Sequence, residues 1–177
     1  YIMSDKIRIL TVDDDAINVQ LIVRALSGSY DVASADGGKS GLNMLEKEDF
    51  DIVLLDVNMP EMDGYQVCQH IRKGEKNPTI PIVFLSAQTG LEDKLKGYEA
   101  GGNDYIEKPV MFDELKRKIE LVVKQAKERD SLDQQVKFAT QTAMTAMSNS
   151  SELGIIVNFM ESSFQSDDSC TLLRTLV

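Results

Sequence analysis

The chain has 177 residues, enough for one well-cored domain and an appendage. Acidic side chains outnumber basic ones by 29 to 19, and the resulting net charge of −10 argues against direct binding to nucleic acid or to an anionic membrane. Cys68 and Cys170 form no metal-binding or disulfide pattern and are expected to be free thiols. The sequence also lacks an apolar run of membrane-span length and a signal-peptide pattern, so we expect a cytoplasmic protein with no membrane contact.

Short apolar runs alternate with amphipathic stretches through residue 110, a pattern typical of βα units that build a parallel sheet. The runs predict strands at Arg8–Val12, Tyr30–Ala35, Ile52–Leu55, Ile82–Leu85 and Asp104–Ile106. The stretches between them predict helices at Ala16–Leu26, Lys39–Glu46, Tyr65–Arg72, Leu91–Glu99 and from Phe112 onward. With right-handed crossovers, these elements give an α/β fold around a doubly wound, five-stranded parallel sheet.

Polar residues occur at or just after the C-terminal ends of four predicted strands: Asp13, Asp14, Asp15, Asp56, Ser86 and Lys108. Doubly wound sheets bind their ligands beyond these strand ends, so we expect the side chains to converge on one site. Three of the carboxylates, Asp13, Asp14 and Asp56, offer the oxygen ligands that Mg2+ prefers, and a cation would offset their mutual repulsion. An amine and a hydroxyl in the same space are suited to neutralising and holding a transferring phosphoryl group.

Four segments carry a family resemblance: ILTVDDDAIN, LLDVNMPEMDG, VFLSAQT and DYIEKPV. Through them, residues 6–124 resemble the receiver domain of two-component response regulators, which implies a flavodoxin-like sheet with strand order 2-1-3-4-5. The resemblance implies a bacterial signalling switch that accepts a phosphoryl group from a histidine kinase. Such a domain is a phosphoacceptor that catalyses its own phosphorylation and dephosphorylation, and it is not a conventional enzyme.

The same resemblance implies a role for each residue of the acidic cluster. Asp56 would accept the phosphoryl group. Asp13, Asp14, the Asp56 carboxylate and the backbone carbonyl of Asn58 would arrange Mg2+.

The resemblance extends to the residues that would sense the phosphoryl group. Ser86 stands where the family has Ser or Thr, and Lys108, followed by Pro109, matches the lysine that binds the phosphoryl oxygens. Tyr105 matches the aromatic switch position, which packs inward when the hydroxyl residue moves.

Two alternative functions remain open at this point. The segment VDDDAI also fits the D-x-D motif of haloacid-dehalogenase-type phosphohydrolases, with Asp13 as nucleophile and Asp15 as acid, although Ile17 departs from that motif. Asp15 is equally well interpreted as the cap of the following helix. The second alternative is a pseudo-receiver that serves only as a scaffold, and the intact set of acids, hydroxyl and lysine argues against it.

The helical pattern continues beyond the expected last helix of the domain. An apolar seam runs through Leu115, Ile119, Val122 and Ala126 and resumes at Val136, Ala143 and Met147. The segment SNSSE at residues 148–152 predicts a break and the start of a second helix. We therefore expect residues 125–177 to be a helical extension that is a solvated linker, a homodimer contact or the start of a truncated output region.

Overall fold

The structure is a computed structural model that describes residues 6–87 and 90–174, with side-chain surroundings for residues 6–87, 90–146 and 148. Strands and helices alternate strictly along the chain: β1 (Arg8–Val12), α1 (Ala16–Leu26), β2 (Asp31–Ala35), α2 (Gly38–Lys47), β3 (Ile52–Asp56), α3 (Gly64–Lys73), β4 (Ile82–Ser86), α4 (Leu91–Glu99), β5 (Asp104–Glu107) and α5 (Phe112–Arg174). The strands form one parallel sheet in the order β2-β1-β3-β4-β5. The predicted fold class and strand order are confirmed.

Three strands, β3, β4 and β5, end one residue later than the apolar runs predict, because a polar residue can still join the ladder of a neighbouring strand. Asp56 is the last residue of β3 and pairs with Leu85, and Ser86 is the last residue of β4 and pairs with Glu107. Both polar groups are therefore held by sheet backbone. At the start of β2, the N–H of Tyr30 instead donates to the carbonyl of Leu26, so that strand begins one residue later than predicted.

The sheet is buried on both faces, as the continuous apolar runs of β3 and β4 require. Alternate residues of β3 enter different clusters. Val53 and Leu55 pack with residues of α3, while Ile52 and Leu54 pack with residues of α1 and α5. One polar group interrupts this core: the hydroxyl of Thr11 on β1 is fully buried and has no hydrogen-bond partner among the described residues.

The turn after β3 is fixed by the start of α3. Asp63 caps this helix in a reciprocal capping box with Gln66. The next residue, Gly64, lies so close to the strand that a Cβ there would fall 2.2 Å from the carbonyl oxygen of Asp56, a distance no side chain tolerates. The backbone that follows Asp56 is therefore pressed directly against the first turn of α3.

The last helix is continuous from Phe112 to Arg174, so the predicted break at residues 148–152 is wrong. This segment contains neither Gly nor Pro, and its Ser and Asn residues each cost only about 0.5 kcal/mol relative to Ala in a helix. Such residues end a helix only when their side chains bind backbone groups in a non-helical conformation. The sequence also predicts burial of the apolar residues Leu153, Ile156, Val157, Met160 and Phe164, and these side chains lie outside the described ones.

The chain divides into two compact units, Tyr1–Glu128 and Arg129–Val177. In the first unit, Leu115, Ile119 and Val122 of α5 are buried against the sheet. In the second unit, the large apolar side chains that the structure describes are exposed: Leu132, Val136, Phe138 and Met144. Among the described residues, no helix is both long and apolar enough to cross a membrane.

Candidate phosphoacceptor site

Two buried carboxylates lie side by side at the carboxyl edge of the sheet. Asp13 directly follows β1 and Asp56 ends β3, and these strands are neighbours with Val12 opposite Leu55. The two residues are only 1% and 4% exposed. Asp14 is exposed at the mouth of the site, and one oxygen from each of the three carboxylates lies within 4.8 Å of the others. Strand pairing thus gathers the acids whose grouping the sequence predicted.

The ammonium group of Lys108 bridges the two buried carboxylates. Its Nζ lies 2.8 Å from Asp13 Oδ2 and 2.5 Å from Asp56 Oδ1. Lys108 directly follows β5, and its backbone N–H donates to the carbonyl of Ser86 at 2.7 Å, which fixes the lysine beside the end of β4. The peptide bond between Lys108 and Pro109 is cis. One positive charge is therefore shared between two carboxylates that are almost entirely removed from water.

Burial controls the electrostatics of this site. Removal from water raises the pKa of Asp56 above its ordinary value, and the nearby charge of Asp13 adds to this, while Lys108 and the backbone N–H of Asn58 oppose it without cancelling it. Burial alone would lower the pKa of Lys108, but its hydrogen bonds to the two carboxylates outweigh this effect and the pKa is raised. The lysine therefore stays protonated, and Asp56 is held in a setting that disfavours its own charge.

Asp13 is held in place on its other oxygen by the start of α1. Its Oδ1 accepts from the backbone N–H of Asp15 at 2.9 Å and from Asn18 Nδ2 at 3.4 Å. Asp15 in turn caps α1 by accepting from the N–H of Ile17 at 2.8 Å, which confirms the cap interpretation. The residues that a dehalogenase-type mechanism would use as nucleophile and acid are thus engaged with the helix. Asn18 was not predicted from the sequence. Its position in the first turn of α1 was the only signal that could have identified it.

The remaining predicted residues lie around the same edge. Ser86 is completely buried at the end of β4, and Tyr105 on β5 is 7% exposed, with its ring packed inward. The Asn58 side chain is exposed. Its backbone N–H hydrogen-bonds Asp56, whereas the predicted use of its carbonyl as a metal ligand stays a prediction.

The donor set fits a hard divalent cation. Three of the candidate ligands are carboxylates, and one of these, Asp14, is exposed to solvent. Magnesium keeps several waters and is bound by few protein ligands, so two buried acids beside one exposed acid are sufficient. The chemistry of these residues therefore agrees with the predicted Mg2+.

Solved structures share this architecture. The chemotaxis protein CheY4 of Vibrio cholerae superposes with a TM-score of 0.64 at 29% identity, over 66% of this chain and 98% of that one. The receiver domain of a sensor histidine kinase from Pseudomonas aeruginosa has a TM-score of 0.62 at 30% identity, over 67% of this chain and 98% of that one. That structure has a magnesium ion coordinated in its active site cleft.

Sequence comparison agrees with the structural likeness. The cell cycle response regulator CtrA of Brucella ovis is 38% identical over 121 residues, which cover 68% of this chain and 51% of the relative. The chain thus spans about half the length of the curated relatives it matches. Residues 9–120 match the response regulator receiver domain. This match extends from β1 into α5 and includes every residue of the site. The chain accordingly belongs to the response regulator receiver family.

Proposed function

We propose that this protein is a phosphorylation-dependent switch of a two-component system, with Asp56 as the residue that accepts the phosphoryl group from a histidine kinase. One observation carries the proposal: Lys108 bridges Asp56 and Asp13 in a buried cluster at the carboxyl edge of the sheet. A structural ion pair needs only one acid for one lysine. A second buried acid with an exposed third beside it provides, in addition, a place for a cation.

Asp56 is the nucleophile in this proposal. One of its carboxylate oxygens forms a bond to phosphorus as the bond between phosphorus and the donor's histidine nitrogen breaks, and that nitrogen keeps the electron pair and takes up a proton. Lys108, already 2.5 Å from Asp56 Oδ1, is placed to neutralise the phosphoryl oxygens. Hydrolysis of the acyl phosphate at the same site would end the signal, so the chain would contribute to both its phosphorylation and its dephosphorylation.

The chain's own residues would hold the magnesium ion. Asp13, Asp14, one oxygen of Asp56 and the carbonyl of Asn58 are the proposed ligands. When bound, the ion supplies charge that lowers the repulsion between an incoming phosphoryl group and the acids. Asn18 and the N–H of Asp15 would keep the Asp13 carboxylate oriented while it binds.

Ser86 and Tyr105 are the proposed relay. A phosphoryl group adds charge and acceptor oxygens at the end of β3, and the hydroxyl of Ser86 at the end of β4 would donate to it. Tyr105 pairs with Phe84 in the neighbouring strand, so a shift at the end of β4 would reach the face that Tyr105 shares with α4.

Residues 6–124 would form the receiver and residues 125–177 a helical extension that pairs two copies of the chain. The exposed apolar residues of the second unit support pairing, because Leu132, Val136, Phe138 and Met144 are 61%, 64%, 74% and 65% exposed. Each square ångström of apolar surface that a partner helix covers would contribute about 25 cal/mol. The proposed setting is the cytoplasm, where a kinase can reach the site.

Phosphoryl transfer is tested with acetyl phosphate and Mg2+. The full chain should gain one phosphate that is labile to acid and base, and Asp56→Asn should gain none. Mass spectrometry of the intact protein counts the phosphate, and Asp51→Asn, a change at a carboxylate outside the site, is the matched control. A fully labelled Asp56→Asn protein would refute the assignment, and labelling at Asp13 would instead favour the dehalogenase-type mechanism.

Pairing is tested separately by sedimentation. The full chain is expected to sediment as a dimer, whereas residues 1–125 should sediment as a monomer without phosphate. A full chain that stays monomeric at high micromolar concentration would contradict the dimer and leave the proposed phosphoacceptor site unaffected.

A further inference from the structure

Tyr65, on the first turn of α3, contacts both strand β4 and helix α4. Its ring packs edge-on against Phe84, with centroids 5.3 Å apart at 61°, and Phe84 in turn contacts Tyr105 at 6.3 Å. Its hydroxyl donates to the backbone carbonyl of Asp93 in α4 at 3.1 Å. One side chain thus joins α3, β4 and α4.

The hydroxyl of Tyr65 also lies beside that of Tyr105. Burial raises the pKa of Tyr65 well above its ordinary value, and a hydrogen bond with Tyr105 and the carboxylate of Asp93 raise it further. The Tyr65 hydroxyl therefore remains protonated at neutral pH and available as a donor. Its neighbours are a backbone carbonyl of α4 and the ring that the proposed switch would move.

Little else among the described contacts fixes α4. The only buried residue of this helix is Gly97, and the large apolar side chains Leu91, Leu95 and Tyr98 are at least half exposed. Gly97 itself packs so closely on Phe84 that a Cβ there would lie 3.2 Å from the ring. A helix with so little buried surface opens at a low free-energy cost, so a single hydrogen bond is a large part of what positions it.

Tyr65 is also connected to the phosphoacceptor Asp56 through its sequence neighbour Gly64, which packs against Asp56. It follows Gly64, whose Cα lies against the carbonyl of Asp56 and whose N–H donates to the carbonyl of Val57 at 2.9 Å. The side chain that holds α4 therefore starts from backbone that is packed on the reacting residue.

We propose that Tyr65 is a positioning residue of the switch: its hydroxyl holds α4 and Tyr105 in the arrangement with the Tyr105 ring buried, and so favours the phosphorylated state. The inference rests on the proposed function, in which the phosphoryl group is coupled to an inward Tyr105. A residue that stabilises the inward arrangement must raise the affinity of any ligand that selects it.

The test is Tyr65→Phe, which removes the hydroxyl and keeps the ring. Beryllofluoride with Mg2+, a phosphoryl analogue, is titrated into the full-length wild type and the variant, and binding is followed by tyrosine fluorescence. Because one hydrogen bond contributes about 0.5–1.5 kcal/mol, the affinity should fall by roughly two- to tenfold. Amide exchange over Leu91–Glu99 should become faster in the variant, and bound beryllofluoride should slow it less than in the wild type.

Tyr30→Phe is the matched control, since the Tyr30 hydroxyl contacts Glu120 on α5 at 3.4 Å, away from α4. It should bind beryllofluoride as the wild type does. Tyr65→Leu, which also removes the ring, should weaken binding at least as much as Tyr65→Phe. Urea denaturation of each variant measures general loss of stability.

The outcomes separate the two proposals. A wild type that binds no beryllofluoride at Asp56 removes the proposed function and the role of Tyr65 with it. A wild type that binds, together with a Tyr65→Phe variant of equal affinity and equal exchange in α4, overturns the role of Tyr65 alone. Lower stability with unchanged affinity overturns it too, because the hydroxyl would then support the fold and not the switch.

Discussion

The two ends of strand β1 carry ion pairs of opposite character. At its start, Arg8 pairs with Asp31 at 3.0 Å and Glu48 at 2.8 Å, and these side chains are 39%, 57% and 51% exposed. Beyond its end, the side chains of Lys108, Asp13 and Asp56 are only 19%, 1% and 6% exposed. The distances are similar, so the two clusters differ chiefly in their contact with water.

The exposure of each cluster to water determines how strongly its charges interact. Exposed pairs are screened and contribute about 0–1 kcal/mol, whereas charges removed from water depend on one another and are costly to separate. A cluster of buried charges therefore responds strongly to any added charge, such as a cation or a phosphoryl group. The difference explains why one end of the sheet is a candidate site while the other only braces the fold.

The largest effect should come from removing the shared cation at the buried end. Lys108→Met leaves two buried carboxylates without their lysine, and we expect a loss of about 3 kcal/mol in the free energy of unfolding at pH 7 in EDTA. Mg2+ should restore part of this loss. Urea denaturation with and without the metal measures both, with Lys39→Met at an exposed pair as control. A loss below about 1 kcal/mol would mean that this cluster contributes no more to stability than exposed ion pairs do.

The next effect has the opposite sign. The pKa of Asp56 is raised in the folded protein, so the native state binds its proton more tightly than the unfolded chain does. The contribution of Asp56 to stability is thus complete below its unfolded pKa and is lost as the pH rises through the raised native value. Asp56→Asn should therefore be more stable than the wild type at pH 7 in EDTA, by about 1.5 kcal/mol.

This difference should shrink as the pH falls through the raised native pKa of Asp56 and should be smallest below the ordinary carboxyl pKa of about 4. Urea denaturation at pH 7 and pH 4 checks the sign. An Asp56→Asn protein that is less stable than the wild type at pH 7 would mean that the pair with Lys108 outweighs burial.

Thr11 lies between the two ends of β1, and a substitution there measures the free-energy cost of burying a hydroxyl that has no hydrogen-bond partner among the described residues. Thr11→Val replaces the unpartnered hydroxyl with a methyl group of similar size, and we expect a gain of about 1 kcal/mol in the free energy of unfolding. Thermal and urea denaturation measure it, and Thr140→Val on an exposed part of α5 is the control. A loss of stability would show that the hydroxyl has a partner, such as a bound water.

The smallest effect is expected at the exposed end. Arg8→Met should cost less than about 1 kcal/mol, and part of this should disappear in 1 M NaCl because the charges are screened. The part that remains in salt reflects the packing of the guanidinium over the ring of Phe50, 5.0 Å from its centroid. A cost equal to that of Lys108→Met would remove the contrast between the two ends.

Much of this molecule could be predicted from its sequence because each signal was local and physically strong. Apolar runs of strand length marked the sheet, and Asp13, Asp56, Ser86 and Lys108 were found from their places at strand ends. Parallel strands bring such positions together whatever lies between them. The cap role of Asp15 was also accessible, since a carboxylate just before an apolar-periodic stretch is a local signal.

The features that escaped prediction depend on tertiary contacts or on the balance of weak terms. The hydrogen bond of Tyr65 to Asp93 depends on how α3 and α4 approach each other, which no local pattern encodes. Asn18 gains its role only because α1 begins beside Asp13. The continuity of α5 through residues 148–152 reflects small helix propensities, where the sequence suggested a capping signal.

The close approach of Gly64 to the carbonyl of Asp56 makes α3 a fixed reference for measuring motion in this domain. Because no atom can be inserted there, α3 cannot slide along the sheet without displacing the end of β3. By contrast, α4 rests on a single buried glycine. A pair of spin labels at exposed Gln69 on α3 and Glu92 on α4 would therefore report the displacement of α4 itself. Because α3 is fixed, a change in the distance between the labels can be assigned to movement of α4.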